Sequence, residues 1–471
     1  MRRRQRAAAG GGGSGRRQAV AHLGGLAAGA CIPLITAMFT VSYSDGDARS
    51  GELSTPSGAV STPGLLVYTH RGGSMNLTPD LLEPLRAAGL QGLQLDALQF
   101  LNQPTPAVVQ GGGGGRKFMA LDGPGTVLVA TGRDPAIYEY AGAMRQATNE
   151  WASVTTPTGA ATVTPERYVE AVAALHPDVW VALSDDIPSD SRTDRAAKSV
   201  DRTAAWLAAC LAAAAQQPGL AAAAAWAAVQ GGQYLHERQR YAEAVAGQPG
   251  VSGYVLGGLG TGESPEQRQQ IVQAVLQRLP AGAPRMLSSV GTPEEVLEAV
   301  AQGIDLFDTA YLLDVTNGGY ALAFPLSPEA DQAEQQAQQQ PGAAAGAAAG
   351  AAAGTLQAAA GVAAGEAPAD ACGRDDSKLN LWALAYRTDK RPLLPGCTCF
   401  ACANHTRAYV HHLLQTHEMT AQVLLEVHNT HHYLQFFREI RTAIAAGRFA
   451  AFRDWFLQRR QRWLVSEGGE Q

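Results

Sequence analysis

The sequence lacks a disulfide framework. Its 471 residues hold six cysteines, three of them within six residues of one another, with Cys31, Cys210 and Cys372 scattered. A chain of this size does not depend on cross-links, and the spacing suits a reducing compartment with a metal site. An excess of basic charge is also missing. The net charge is −6, so the global balance does not advertise nucleic acid, although a local patch can still bind it through its own field. No G-x-G-x-x-G follows the first strand, which weakens a dinucleotide reading. A strongly apolar run of about 20 residues, the length that a spanning helix needs, is absent. Residues 23–42 are uncharged but broken by glycines and a proline, and they read as early strands or the end of a targeting segment. No acidic residue precedes Asp45, and the chain opens MRRRQRAAAGGGGSGRR. That composition fits either an organelle-import segment or a disordered basic tail.

What is present is a chain with 46% hydrophobic residues, enough for one barrel-sized domain or two smaller ones. Residues 111–115 are a glycine run, read as a loop. Residues 328–371 are rich in Ala, Gly and Gln with almost no large apolar side chain. They cannot offset the entropy of ordering, and the pattern predicts a disordered insertion. The expected division is an N-terminal tail with early strands (1–63), a body (64–327), the low-complexity segment (328–376) and a C-terminal unit (377–471).

Within the body, Thr164-Pro165-Glu166, Ser264-Pro265-Glu266-Gln267 and Thr292-Pro293-Glu294-Glu295 each open an apolar-periodic run. A Thr or Ser cap followed by Pro is a helix start, and Gln267 can close a capping box. Between these helices DVWVAL (178–183), AWAAVQ (225–230), GYVLGG (253–258), 285–289 and 304–307 read as buried strands. Alternating strands and helices imply a parallel sheet, either an open doubly wound one or a closed barrel. Asp185 and Asp186, Gln230-Gly231-Gly232, Gly257-Gly258 and Asp308 cluster at strand ends. A barrel would gather them on its C-terminal face, where active sites are built. The expected fold is therefore α/β, a (β/α)8 TIM-type barrel.

Cys397-Thr-Cys399-Phe-Ala-Cys402 puts three soft ligands on one tight loop after Pro395-Gly396. A fourth ligand would close a tetrahedral structural zinc site. His405, His411, His412, His417, His428, His431 and His432 are candidates. His405 is close enough in sequence to strain the loop, and the others fall on two expected helices, 405–417 and 421–432. His428 follows the apolar run VLLEV and could fold back on the cysteines.

CTCFACANHTRAYVHHLL followed by VLLEVHNTHHYLQFFREIRTAI resembles the C-terminal zinc unit of tRNA-guanine transglycosylases. AAVQGGQYLHER, GYVLGGLGTGES and SVGTPEEVLEAVAQGIDLFD resemble the family's barrel segments in the same order. The resemblance implies an inserted C-terminal zinc-binding subdomain and one structural Zn2+ on Cys397, Cys399, Cys402 and His428. It also implies base exchange at tRNA position 34. In that chemistry a carboxylate attacks ribose C1′ and holds a covalent glycosyl-enzyme until the incoming base displaces it. The F-D motif of the family's nucleophile matches Asp308. Its pocket motifs match Gln230, Gly257, Gly258 and Leu259, and its base-reading aspartate matches Asp185 or its neighbour Asp186.

Two departures stand out. The family's D-S-G-G-F string, which carries the acid/base aspartate, does not occur; the corresponding region runs through GLQGLQLDALQF and the glycine loop. The segment after Asp308 (311–320) has no arginine. Together with VTNGGYALAF, LSDD and KSVDR, these departures resemble the non-catalytic, accessory branch of the eukaryotic enzymes. That likeness implies a heterodimer with a catalytic queuine tRNA-ribosyltransferase subunit. The pair would exchange guanine for queuine in tRNAs with GUN anticodons, in the cytoplasm or at the outer mitochondrial membrane. The alternatives are a self-sufficient transglycosylase using Asp308, with import through the Arg-rich N-terminus left open, and an unrelated zinc-dependent hydrolase. Partner contact is expected near residues 400–435, with Tyr409, His412 and Tyr433 on the surface. The arginine-rich C-terminal stretch reads as an amphipathic helix with Phe452, Trp455 and Phe456 inward.

Overall fold

The computed structural model describes residues 38–73, 76–121, 123, 125–136, 144–156, 158–339 and 377–468. The Arg-rich start, Cys31, Cys372 and most of the Ala/Gly/Gln-rich segment lie outside these residues.

Eight strands close into a parallel barrel. In chain order the strands of the molecule are β1 (Met38–Asp45), β2 (Ala48–Thr55), β3 (Gly58–Thr62), β4 (Gly64–Thr69), β5 (Gly92–Asp96), β6 (Val127–Thr131), β7 (Met144–Ala147), β8 (Ala152–Thr156), β9 (Gly159–Val163), β10 (Val179–Val181), β11 (Ala224–Val229), β12 (Val251–Leu256), β13 (Arg285–Ser288), β14 (Leu306–Thr309), β15 (Tyr320–Leu322) and β16 (Lys378–Asn380). The barrel runs β4-β5-β6-β10-β11-β12-β13-β14 and closes by pairing β14 with β4. Its strands are buried on both faces, which is why they read as continuous apolar runs rather than alternating ones.

The barrel interior is filled by Leu66, Val129, Val181, Trp226, Val255 and Leu306. Trp226 sets the local sequence. It is flanked by alanines in β11, and a Cβ on Gly253 of β12 would lie 2.5 Å from its ring. The β1-β2-β3 sheet closes the N-terminal end, with Leu53 and Val60 joining that core. Arg49 of β2 donates to both oxygens of the buried Asp305, at 2.8 and 2.6 Å. The expected caps form: Thr164 accepts from Arg167 N, and Ser264–Gln267 and Thr292–Glu295 are complete capping boxes.

Two expectations need correction. The low-complexity segment does not begin unstructured: Pro328–Gln339 is a helix, and its buried Asp331 accepts from Arg459 at 3.1 Å. That ion pair and the Trp455 Nε1 contact to Asp331 tie this helix to the C-terminal helix. The second expected C-terminal helix also runs far past His432, spanning Thr420–Ala445. Its C-terminal half packs on the barrel wall. The rings of Phe437 and Phe307 lie 5.7 Å apart, and Arg441 donates to Pro63 O at 2.7 Å. This long helix serves as the barrel's last outer helix. The described residues between β14 and it, including the antiparallel β15-β16 pair and the cysteine loop, are an insertion into the final strand-to-helix connection.

The chain turns at Gly447, whose φ is +65°, and ends in the helix Phe449–Gly468. Phe452 and Phe456 are buried there, Trp455 packs against them, and Arg460 pairs with Glu294 at 3.3 Å. Among the described residues no helix is long and apolar enough to cross a membrane.

Candidate functional site

The four candidate metal ligands meet where the inserted β15-β16 pair and cysteine loop pack on the long helix. Cys397 follows Gly396, whose positive φ of +80° turns the chain. Cys399 caps the short helix Phe400–Asn404 by accepting from Cys402 N at 3.3 Å, so the third thiol points the same way. His428 Nδ1 faces the three Sγ atoms at 3.8, 3.6 and 3.4 Å. A tetrahedral ion with bonds of about 2.3 Å to sulfur and about 2.0 Å to nitrogen separates S from N by roughly 3.5 Å. The four ligand atoms lie within 4.8 Å of one another, so the group could hold one metal ion, and three thiols with one imidazole suit zinc.

The tautomer is fixed from behind. His428 Nε2 sits 2.8 Å from Leu322 O, a group that can only accept. Nε2 therefore carries the proton, and the Nδ1 lone pair points into the space between the three sulfurs, where a metal ion would take it. Asn429 completes the arrangement: its Oδ1 accepts from Leu322 N at 2.8 Å, and its Nδ2 donates to Tyr320 O and Thr316 Oγ1. Adjacent residues of the long helix thus hold both backbone groups of Leu322.

The other histidines do different work. His411 Nδ1 is bonded to Leu381 O at 2.8 Å. His432 is buried edge-to-face on Phe324 at 4.6 Å, and burial pushes its pKa down to about 3. His405 stacks on Tyr409.

At the C-terminal mouth of the barrel, Asp308 is the penultimate residue of β14 and is fully buried. Its Oδ1 accepts from Ser289 N at 3.1 Å, and Oδ2 has no hydrogen-bond partner among the described residues. Burial raises its pKa to about 6, opposed by the Ser288 hydroxyl, the Ser289 N–H and the Arg133 charge. Gln230 donates from Nε2 to Asp186 and to Ser184 Oγ. Gly257 and Gly258 leave room for it: a Cβ there would lie 2.6 and 2.7 Å from the Gln230 amide. Leu259 is buried beside them and offers its carbonyl to Arg133.

Of the two adjacent aspartates, the structure brings Asp186 to Gln230. Asp185, also buried, turns instead toward the helix Thr193–Ala214, gripped at 2.7 Å on each oxygen by Arg195 and also by Arg202. A carboxylate so neutralised braces the helix Thr193–Ala214 and is not available to a ligand at the mouth. Tyr433 is likewise not on the surface, for its hydroxyl donates to Gly291 O at 2.5 Å in the seam between helix and barrel. Tyr409 and His412 are exposed.

Four mouth residues escaped the sequence reading. Asp96 ends β5, accepting from Leu98 N and Gln99 Nε2. Burial, helped by the nearby Asp134 charge, raises its pKa to about 7. Asp134 follows β6 and pairs with His70 at 3.2 Å. Arg133 reaches Asp186 at 3.4 Å and Leu259 O at 3.2 Å. Arg238 is wholly buried and ties Val229 O, Gly232 O, Gly257 O and Gly258 O together. An aspartate directly after an apolar run, as in LQLD, was the available signal for Asp96, the same one that marks Asp308.

A family model described as Queuine tRNA-ribosyltransferase matches residues 44–462. The Queuine tRNA-ribosyltransferase accessory subunit 2 of Xenopus tropicalis is 34% identical over 396 residues, covering 83% of this chain and 91% of that one. The human protein of the same name is 31% identical over 399 residues, again 83% and 91%. A protein of Nostoc sp. named Queuine tRNA-ribosyltransferase is 31% identical over 404 residues, 85% of this chain and 91% of that one.

Proposed function

Because this chain belongs to the queuine tRNA-ribosyltransferase family, we propose that it is the non-catalytic accessory subunit of a heterodimeric enzyme. The catalytic subunit would exchange guanine 34 for queuine in tRNAs with GUN anticodons, both subunits acting in the cytoplasm. The observation that carries this reading is the state of Asp308. A nucleophile must reach ribose C1′, yet this carboxyl is 0% exposed. It lies under the charge of an arginine that bonds the neighbouring pocket groups. The names of the vertebrate relatives support the same conclusion. Cys397, Cys399, Cys402 and His428 would hold one zinc ion, whose contribution is structural: it pins the inserted loop to the helix that also closes the barrel. Tyr409 and His412, exposed beside that loop, belong to the proposed contact with the partner.

A second reading is a self-sufficient transglycosylase. One observation favours it: Asp96 is held near neutrality at a barrel mouth that also contains Asp308, and a general acid works best with a pKa near the operating pH. The two readings separate in a labelled-queuine incorporation assay on a GUN-anticodon tRNA. The chain alone, a catalytic paralogue alone and their mixture are compared. Full activity only in the mixture is expected; incorporation by this chain alone would transfer the reaction to Asp308 and Asp96.

A further inference from the structure

Arg133 does not lie on the barrel mouth by accident of a long side chain. Its backbone is pinned: Arg133 O accepts from Thr131 Oγ1 at 2.9 Å and from Gln94 Nε2 at 3.2 Å, both on barrel strands. The following residue, Asp134, is fixed by its pairing with His70. The side chain is then only 13% exposed and runs over the strand ends. It donates from Nη1 to Asp186 Oδ2 and from Nη2 to Leu259 O. Asp186 Oδ1 is already taken by Gln230 and Ser184.

A guanidinium is a flat group presenting adjacent N–H donors. So is the N1–H and 2-amino edge of guanine and its 7-deaza relatives. A carboxylate oxygen and a backbone carbonyl are the acceptors that either would need. We propose that Arg133 is a resident ligand of the barrel pocket, taking the acceptors a purine-type base would use and so excluding the base from this subunit. The inference rests on the reading that Asp186, Gln230 and Leu259 form the pocket by which the family holds its base. It goes beyond the accessory role by naming the group that shuts the site. Gln230 Oε1, buried without a partner among the described residues, is a further acceptor in the same place. The Arg133 contacts, 3.4 and 3.2 Å, are longer than the usual ~2.9–3.0 Å, so a better-fitting donor set can compete once the arginine is gone.

The test is equilibrium dialysis of the full chain with radiolabelled guanine, for wild type, Arg133→Ala and Arg133→Gln. Arg133→Ala leaves Asp186 buried without its cation and can compromise folding. Arg133→Gln is shorter and uncharged but keeps an amide donor, and it serves as the second variant. Thermal melts accompany each sample. Wild type is expected to bind no guanine up to the solubility limit of the base. The folded variants are expected to bind at least about tenfold more tightly, with loss of that binding when Asp186→Asn is added. Wild type binding guanine as well as the variants do would overturn the proposal, as would folded variants that bind none. The incorporation assay of the mixture is run beside it with wild-type protein. An inactive mixture sinks the accessory role whatever the dialysis gives, whereas an active mixture with base-binding wild type sinks only the plug.

Discussion

Replacing Asp308 by Asn probes the charge state of the most telling residue at the mouth. Burial raises this carboxyl to about 6, against the pull of Ser288, Ser289 and Arg133. An unfolded aspartate titrates near 3.9. Between about pH 4 and pH 6 the native state therefore binds more protons than the unfolded state, and stability falls as pH rises. Above that window the ionised carboxylate costs roughly 3 kcal/mol, at about 1.4 kcal/mol per pKa unit. Asparagine removes that cost. Its Oδ1 still accepts from Ser289 N, and its new amide N–H replaces Oδ2, which has no partner among the described residues. An unsatisfied buried donor costs about 1–3 kcal/mol. Asp308→Asn should thus be at least as stable as wild type at pH 8, by up to about 2 kcal/mol, and less stable than wild type at pH 4.5. Urea midpoints followed by tryptophan fluorescence at the two pH values measure this. A variant less stable than wild type at pH 8, or a difference independent of pH, refutes the argument. The same variant should leave queuine incorporation by the mixed complex unchanged if Asp308 is no nucleophile.

Three further outcomes are expected. Elemental analysis should find one zinc per chain, and a strong chelator should make Cys397, Cys399 and Cys402 reactive to a thiol reagent while lowering helix content; full helicity after metal removal would contradict a structural role. Asn429→Ala should cost about 2–4 kcal/mol, because Leu322 N and Tyr320 O lose their partner in the interior, and it should weaken metal retention by releasing Leu322 from behind His428. Arg238→Ala should cost about 3 kcal/mol or more by removing the donor to Gly232 O, Gly257 O and Gly258 O and one of the two donors to Val229 O; a melting temperature unchanged from wild type would show that water replaces the guanidinium there.

The sequence by itself determined what local chemistry dictates. Thr164, Ser264 and Thr292 start helices because a cap and a following proline act within four residues. The buried strands are visible because a strand covered on both faces has no polar side to alternate. The three-cysteine loop is legible because its ligands are neighbours in sequence. Only the tertiary structure decided the rest. His428 stands out from six other histidines because Leu322 O, 106 residues away in the chain, fixes its tautomer and direction. Asp186 faces the mouth and Asp185 does not because Arg195 and Arg202, on a later helix, capture one of two otherwise equivalent carboxylates. Tyr433 is inward because the helix carrying it closes a barrel whose strands were made far earlier. Arg133 reads as one more surface charge until eight strands close and bring Asp186, Leu259 and Asp308 beneath it. Each of these residues is placed by partners remote in sequence, and no local pattern records where the closure of the barrel will put them.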